Sequence, residues 1–122
     1  MMLHSPDEAN LYSALKAARK IKKKVESISF QDFDSNPDIQ DIVHWNLMVM
    51  GEALNRMSTK WAEDNTHISI RQIIGLRNRI VHGYDVINTD VIYKTLVDDI
   101  PPFIDQVSKL FDEKDDKKPG RS

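Results

Sequence analysis

Apolar residues in this chain recur at helical spacing in four successive segments, and no stretch alternates as a half-buried strand would. The first segment begins at Ser5-Pro6-Asp7-Glu8. Ser5 can cap, Pro6 suits the first helical position, and Glu8 can close a capping box. Leu11, Leu15, Ala18, Ile21, Val25 and Ile28 follow at helical intervals. The second segment starts near Asn36-Pro37 and runs to about Ser58, with Ile39, Ile42, Val43, Leu47, Met50, Ala53, Leu54 and Met57 on its core face. The third starts after Ser69, with Gln72 as a capping-box partner, and reaches the Gly83 region. The fourth opens at Asn88-Thr89 and carries Val91, Leu96, Ile100, Ile104, Val107 and Leu110. Pro101-Pro102 interrupts it, and a kink or restart is expected there because proline removes backbone donors and clashes with the preceding turn.

Two links add detail. Residues 29–36 carry Phe30 and Phe33, expected to pack under the bundle, and residues 59–68 include Trp61 and a short helical turn. The reading is an all-α, up-down bundle of four to five helices in one domain, residues 1–111. Residues 112–122 mix acids and lysines, hold no apolar residue after Phe111 and end in Pro-Gly and two polar residues, so a disordered tail is expected there.

Composition narrows the function. A net charge of −2 argues against a general nucleic-acid binder that is basic all over. The absence of cysteine excludes a disulfide framework, a thiolate metal site and a cysteine nucleophile. The N-terminus lacks a charged-then-apolar signal pattern and no apolar run has the length to span a bilayer, so a cytoplasmic protein without membrane contact is expected. His4, His44 and His67 are too far apart in sequence to suggest a metal motif, and His-Glu-x-x-His is absent. No glycine-rich phosphate loop, serine elbow or paired-carboxylate signature is present. No metal and no cofactor are expected.

Arg77 is the residue out of place. On a helical projection Ile70, Ile73, Ile74, Ile80, Val81 and Tyr84 share one arc, and Arg77 falls in its middle. A guanidinium cannot shed its charge, so it must snorkel, find a carboxylate or line a wet cleft. Asn78 and His82 lie one turn apart on the flank of that arc. From Asn65 to Tyr84 there is no acid, while Arg71, Arg77 and Arg79 supply three cations. Arginine clusters suit phosphate because the planar fork bonds two oxygens at once. A second basic run, Lys16 to Lys24, reads as a solvated helix face.

The second helix leaves His44, Trp45, Met48, Glu52 and Asn55 opposite its core face. They read either as scattered surface residues or as a homodimer interface, where aromatics and methionine are enriched. The interface is favoured because Arg77 also needs a partner, with Glu52 as its candidate counter-ion. Cleavage of RNA without metal needs a base for the 2′-hydroxyl, an acid for the leaving oxygen and positive charge at the phosphorus. His82 suits the proton work and Arg77 the charge. A symmetric dimer would supply two such histidines. Alternatively, His82 simply stabilises the helix C-terminus. The residues alone leave both readings open.

Arg77-Asn78-Arg79-Ile80-Val81-His82, followed by Gly83-Tyr84, resembles the Arg-x4–6-His motif of the HEPN ribonucleases and, in its Arg-Asn-x-x-x-His-x-Tyr form, the HepT toxin branch. The likeness extends to Gly51-Glu52-Ala53-Leu54-Asn55 and Ile100-Pro101, and covers most of the chain to Phe111. Ile70 stands where relatives often carry an aromatic. The resemblance implies a dimeric HEPN-type bundle with the motif in the cleft between protomers. It implies metal-independent RNA cleavage by Arg77 and His82 supported by Asn78; from the charge pattern, Glu52 as counter-ion and Arg79 as a neighbouring cation stand as supporting residues. It also implies an antitoxin partner, an MNT-type nucleotidyltransferase of a type VII system that transfers AMP to Tyr84. A non-catalytic HEPN subunit presenting nucleotide or substrate to that enzyme is the alternative.

Overall fold

The first helix, α1 (Pro6–Val25), shows how local signals set up the packing. Proline occupies its first position, where a missing N–H costs nothing. Asp7 and Glu8 sit in its first turn and Lys22, Lys23 and Lys24 in its last, which complements the helix dipole. One face buries Leu11, Ala14, Leu15, Ala18, Ile21 and Val25. Each large aliphatic side chain buried there contributes about 1.5–3 kcal/mol.

In the computed structural model, which describes residues 6–82 and 88–116, six further helices follow: α2 (Phe30–Asp34), α3 (Pro37–Asn55), α4 (Thr59–Asp64), α5 (Arg71–His82), α6 (Thr89–Asp98) and α7 (Ile100–Asp116). No strand is present among the described residues, and the architecture is an all-α bundle of the HEPN type. The expected cap Ser5 lies outside the described residues.

Caps fix the starts of the short elements. Ser29 and Asp32 form a reciprocal capping box on α2. Asn36 accepts the Ile39 N–H at 3.1 Å at the start of α3, and Ser58 accepts that of Trp61 at α4. The Gln40 side chain donates to the Phe33 and Asp34 carbonyls, which the end of α2 leaves open. Phe33 is fully buried beneath the bundle as expected, while Phe30 stays exposed and meets the edge of Tyr93.

Long-range bonds fix the directions of the helices. The Ser58 N–H, just after α3, donates to Asp7 at 2.8 Å, so α3 ends where α1 begins. Tyr12 packs edge-on against Phe111 and Arg19 donates to Ser108, so α7 runs antiparallel to α1. The Thr89 hydroxyl donates to Asp34, which sets the start of α6 at the end of the bundle where α3 starts. The helix α5 packs on α3, with Arg77 against Gly51.

Three expectations are refined. The fourth segment is two helices, broken at Asp99, and Pro101 and Pro102 fall in the first turn of α7 where proline is tolerated. Ile42, placed on the core face of α3, is exposed, while Asn46 and Gly51 are buried there instead. The helix α7 continues to Asp116, so the first residues of the expected tail are helical, in keeping with the helix propensity of Glu and Lys. No helix among the described residues is long and apolar enough to cross a membrane.

Candidate functional site

The site is built where α5 crosses α3. The buried stripe of α5 is Ile73 and Leu76, with Ile80 partly buried beside them. Arg77 sits at the edge of that stripe, not in its middle. Ile74 on its other side is half-buried and Val81 is 43% exposed. The correction has a simple cause: Leu76 turns the core-facing direction of α5 by a fraction of a turn, and Arg77 moves to the seam between the helix core and solvent.

Gly51 makes room for it. A Cβ at Gly51 would lie under 3.0 Å from both Cβ and Cγ of Arg77 and 3.2 Å from Cδ. The arginine stem therefore lies directly against the α3 backbone, where only a residue without a side chain fits. At its far end the guanidinium donates through Nη1 to Oδ1 of Asn78 at 3.0 Å. Its Nε is buried with no acceptor in reach. Among the described residues no carboxylate pairs with Arg77. The expected counter-ion, Glu52, is instead bound to Arg56 one turn along the same helix at 2.5 Å. An i,i+4 partner on its own exposed helix face is closer to hand than a side chain on α5. The hydrogen-bond partner of this half-buried guanidinium is thus a neutral amide and not an anion.

His82 is the last residue of α5 and is exposed, one turn beyond Asn78. Arg79 is exposed on the outer face. Both make interactions within the chain. The structure thus brings Arg77 and Asn78 into direct contact and leaves His82 at the helix end. Tyr84 lies outside the described residues. Among the described residues no group of three His, Asp or Glu side chains could hold a metal ion.

Two features were not legible beforehand. The first is the cradling role of Gly51. The second is His44, seven residues before Gly51 on the same face of α3, about 10 Å along that helix. Its ring is half-buried and Nε2 is shielded from solvent without a partner. Burial holds its pKa below the ordinary histidine value, partly opposed by the nearby Asp41 carboxylate. The i,i+7 spacing of His44 and Gly51 was a usable signal, but which helix packs on that face was not. Trp45 beside it is 65% exposed and Met48 is half-buried, so α3 presents apolar surface next to the site.

Comparison with known proteins places the chain in a family. Residues 14–110 match the model of the family described as Ribonuclease HepT-like. A candidate RNase of Caldanaerobacter subterraneus subsp. tengcongensis is 27% identical over 88 residues, 72% of this chain and 79% of its own. A candidate RNase of Methanocaldococcus jannaschii is 27% identical over 94 residues, 77% of this chain and 86% of its own. A Thermococcus cleftensis protein with the name Probable ribonuclease HepT is likewise 27% identical over 94 residues, with the same coverage. No solved structure matches the chain. With the family model spanning α1 to α7 and including the whole Arg77–His82 string, the chain belongs to the HepT-like ribonuclease family.

Proposed function

We propose that the chain is a metal-independent endoribonuclease, the toxin of a type VII HepT/MNT toxin–antitoxin system. One observation carries the reading: the Arg77 stem lies against Gly51, its guanidinium bonds Asn78 in a half-buried seam, and it is left without a carboxylate partner among the described residues. Burying a cation unpaired costs stability, and a phosphate is the anion whose geometry the guanidinium fork matches.

In this reaction the 2′-hydroxyl loses its proton and its oxygen bonds to phosphorus. The P–O5′ bond breaks, the leaving oxygen is protonated, and a 2′,3′-cyclic phosphate and a 5′-hydroxyl result. Arg77 stabilises the charge that builds on the non-bridging oxygens. Asn78 orients the guanidinium. His82 serves one proton transfer, and His82 of a second copy the other, across a two-fold axis. Trp45 and Met48 on α3 and Val81 on α5 are apolar side chains left at least partly exposed, and such residues are suited to forming that dimer. The antitoxin is a nucleotidyltransferase that adds AMP to Tyr84, whose negative charge would pair with the neighbouring arginines and occupy the phosphate site.

Expression of the chain alone tests the reading. RNA should be degraded and growth arrested, with cleavage unchanged by EDTA. His82→Ala should lower the rate ~10²–10⁴-fold, as loss of one acid–base group does. Full RNA cleavage by His82→Ala, or cleavage that EDTA abolishes and a divalent ion restores, refutes the mechanism. Sedimentation at micromolar concentration should give a dimer; a monomer that still cleaves RNA would remove the shared-histidine arrangement.

A further inference from the structure

A second concave site lies away from the Arg77 seam, between α4, the segment that follows it and the first residues of α5. The cavity has a volume of about 520 Å³, in the range of small-ligand pockets, roughly 300–1,000 Å³. Trp61, Asn65, Ile68, Ile70, Arg71 and Gln72 are among its lining residues. Trp61 is only partly buried, and Arg71 and Gln72 are exposed. The lining therefore combines an aromatic ring, two amide side chains and a cation. An aromatic ring stacks on any base, amides read its edge, and arginine takes the phosphate. The segment 65–82 that supplies most of it holds no acidic residue.

The position relates the cavity to the cut. Ile70, the residue just before α5, precedes Arg77 by seven residues, about two helical turns or roughly 10 Å. The half-buried Ile74 lies between them. We propose that this cavity seats one nucleotide of the RNA strand close to the scissile phosphate, with the base against Trp61 and within reach of Asn65 and Gln72, and its phosphate on Arg71. The proposal rests on the ribonuclease reading above for the source of the nucleotide. It makes this cavity the element that sets base preference near the cut.

The test follows the two tryptophan indole N–H signals by NMR in the full-length chain, with Trp61→Phe used for assignment. The probes are the four 5′-mononucleotides, inorganic phosphate, and a 2′-O-methyl tetranucleotide that cannot be cleaved. Trp61 should shift saturably with at least one mononucleotide at millimolar concentration, with no shift at Trp45. Arg71→Ala should weaken binding about tenfold, the loss of one charge-assisted contact. The tetranucleotide should bind at least ~10-fold tighter than any mononucleotide, since it reaches both Arg71 and Arg77. In parallel, Gln72→Ala should change the ratio of cut sites among the four bases several-fold.

No Trp61 shift up to ~10 mM of all four mononucleotides overturns the seat. So does an equal shift with inorganic phosphate, which would mark a bare anion site. A mononucleotide binding as tightly as the tetranucleotide assigns the cavity to a free nucleotide and overturns its placement on the RNA path. RNA cleavage without any nucleotide shift at Trp61 refutes this site and leaves the ribonuclease reading intact. Nucleotide binding with no RNA cleavage by the chain overturns the ribonuclease reading, and with it the placement of the cavity beside a scissile phosphate, while leaving the cavity a nucleotide site.

Discussion

Replacing Gly51 with alanine sets two opposing effects against each other at one atom. In a solvent-exposed helix the change is favourable by about 0.5–1 kcal/mol, because glycine loses more backbone freedom on folding. Here the added methyl would meet Cβ and Cγ of Arg77 at under 3.0 Å. Carbon atoms pack at ~3.5–4.0 Å, so α5 must retreat from α3 by about 1 Å at this level. The overlapped atoms are the root of the Arg77 side chain, which cannot swing aside without the helix. Overpacking of this kind costs typically ~1–3 kcal/mol. With the upper end of that range offset by the propensity gain, the net loss is about 2 kcal/mol. For a chain of this size that lowers Tm by roughly 6–10 °C. Gly75 on α5 is the matched control. Nothing lies within 4 Å of a Cβ placed there, so Gly75→Ala should raise Tm by roughly 2–5 °C. Thermal unfolding followed by circular dichroism at 222 nm measures both. Displacing Arg77 by about 1 Å should also slow RNA cleavage ~10²-fold. A Gly51→Ala protein that melts at or above the parent, or that cleaves RNA at the parent rate, would refute the close-packed Gly51–Arg77 seam.

Three further outcomes are expected. Phe33 is fully buried under the bundle, with its ring 5.7 Å from that of Tyr93; Phe33→Ala should cost ~3–5 kcal/mol, read as a fall in the urea midpoint with unchanged slope. His44 binds protons less readily folded than unfolded because burial lowers its pKa, so between its folded pKa and about 6.5 the unfolded chain holds more protons and stability falls as pH drops through that window. His44→Gln should flatten this part of the curve of Tm against pH, with the remaining slope coming from other groups; a curve unchanged by the substitution would contradict the shifted histidine. Incubation with ATP and the partner nucleotidyltransferase should add AMP to the peptide holding Tyr84, and equal modification and silencing of Tyr84→Phe would show that the acceptor is another residue.

Much of the fold could be read from the chain because helix signals are local. Pro6, Asn36-Pro37 and Asn88-Thr89 mark starts that the structure keeps. The Pro101-Pro102 pair marks the restart that separates α6 from α7. Leu15, Ile21, Leu47, Met50 and Leu96 lie in the core as their spacing requires. The motif string from Arg77 to His82 was legible as residue types at fixed intervals on one helix, and the family match spans it.

What the spacing could not supply was the neighbour across each face. A period of 3.6 residues says which side chains share a stripe of their own helix, but contains nothing about which stripe of another helix fills it. Arg77 looked central in its arc because the arc was drawn from α5 alone; Leu76 and the approach of α3 place it at the edge. Glu52 looked like its counter-ion because opposite charges attract at any sequence distance, yet Arg56 reaches it first along the same helix. Gly51 stood in the sequence only as part of a family-like string; the Arg77 stem lying against it supplies its packing role. The cavity beside Trp61 joins α4 to α5 and exists only after both have docked. The sequence alone therefore determined the helices and the chemical groups of the motif. The tertiary structure decided which of those groups are buried, which are paired, and which charge has no carboxylate partner among the described residues.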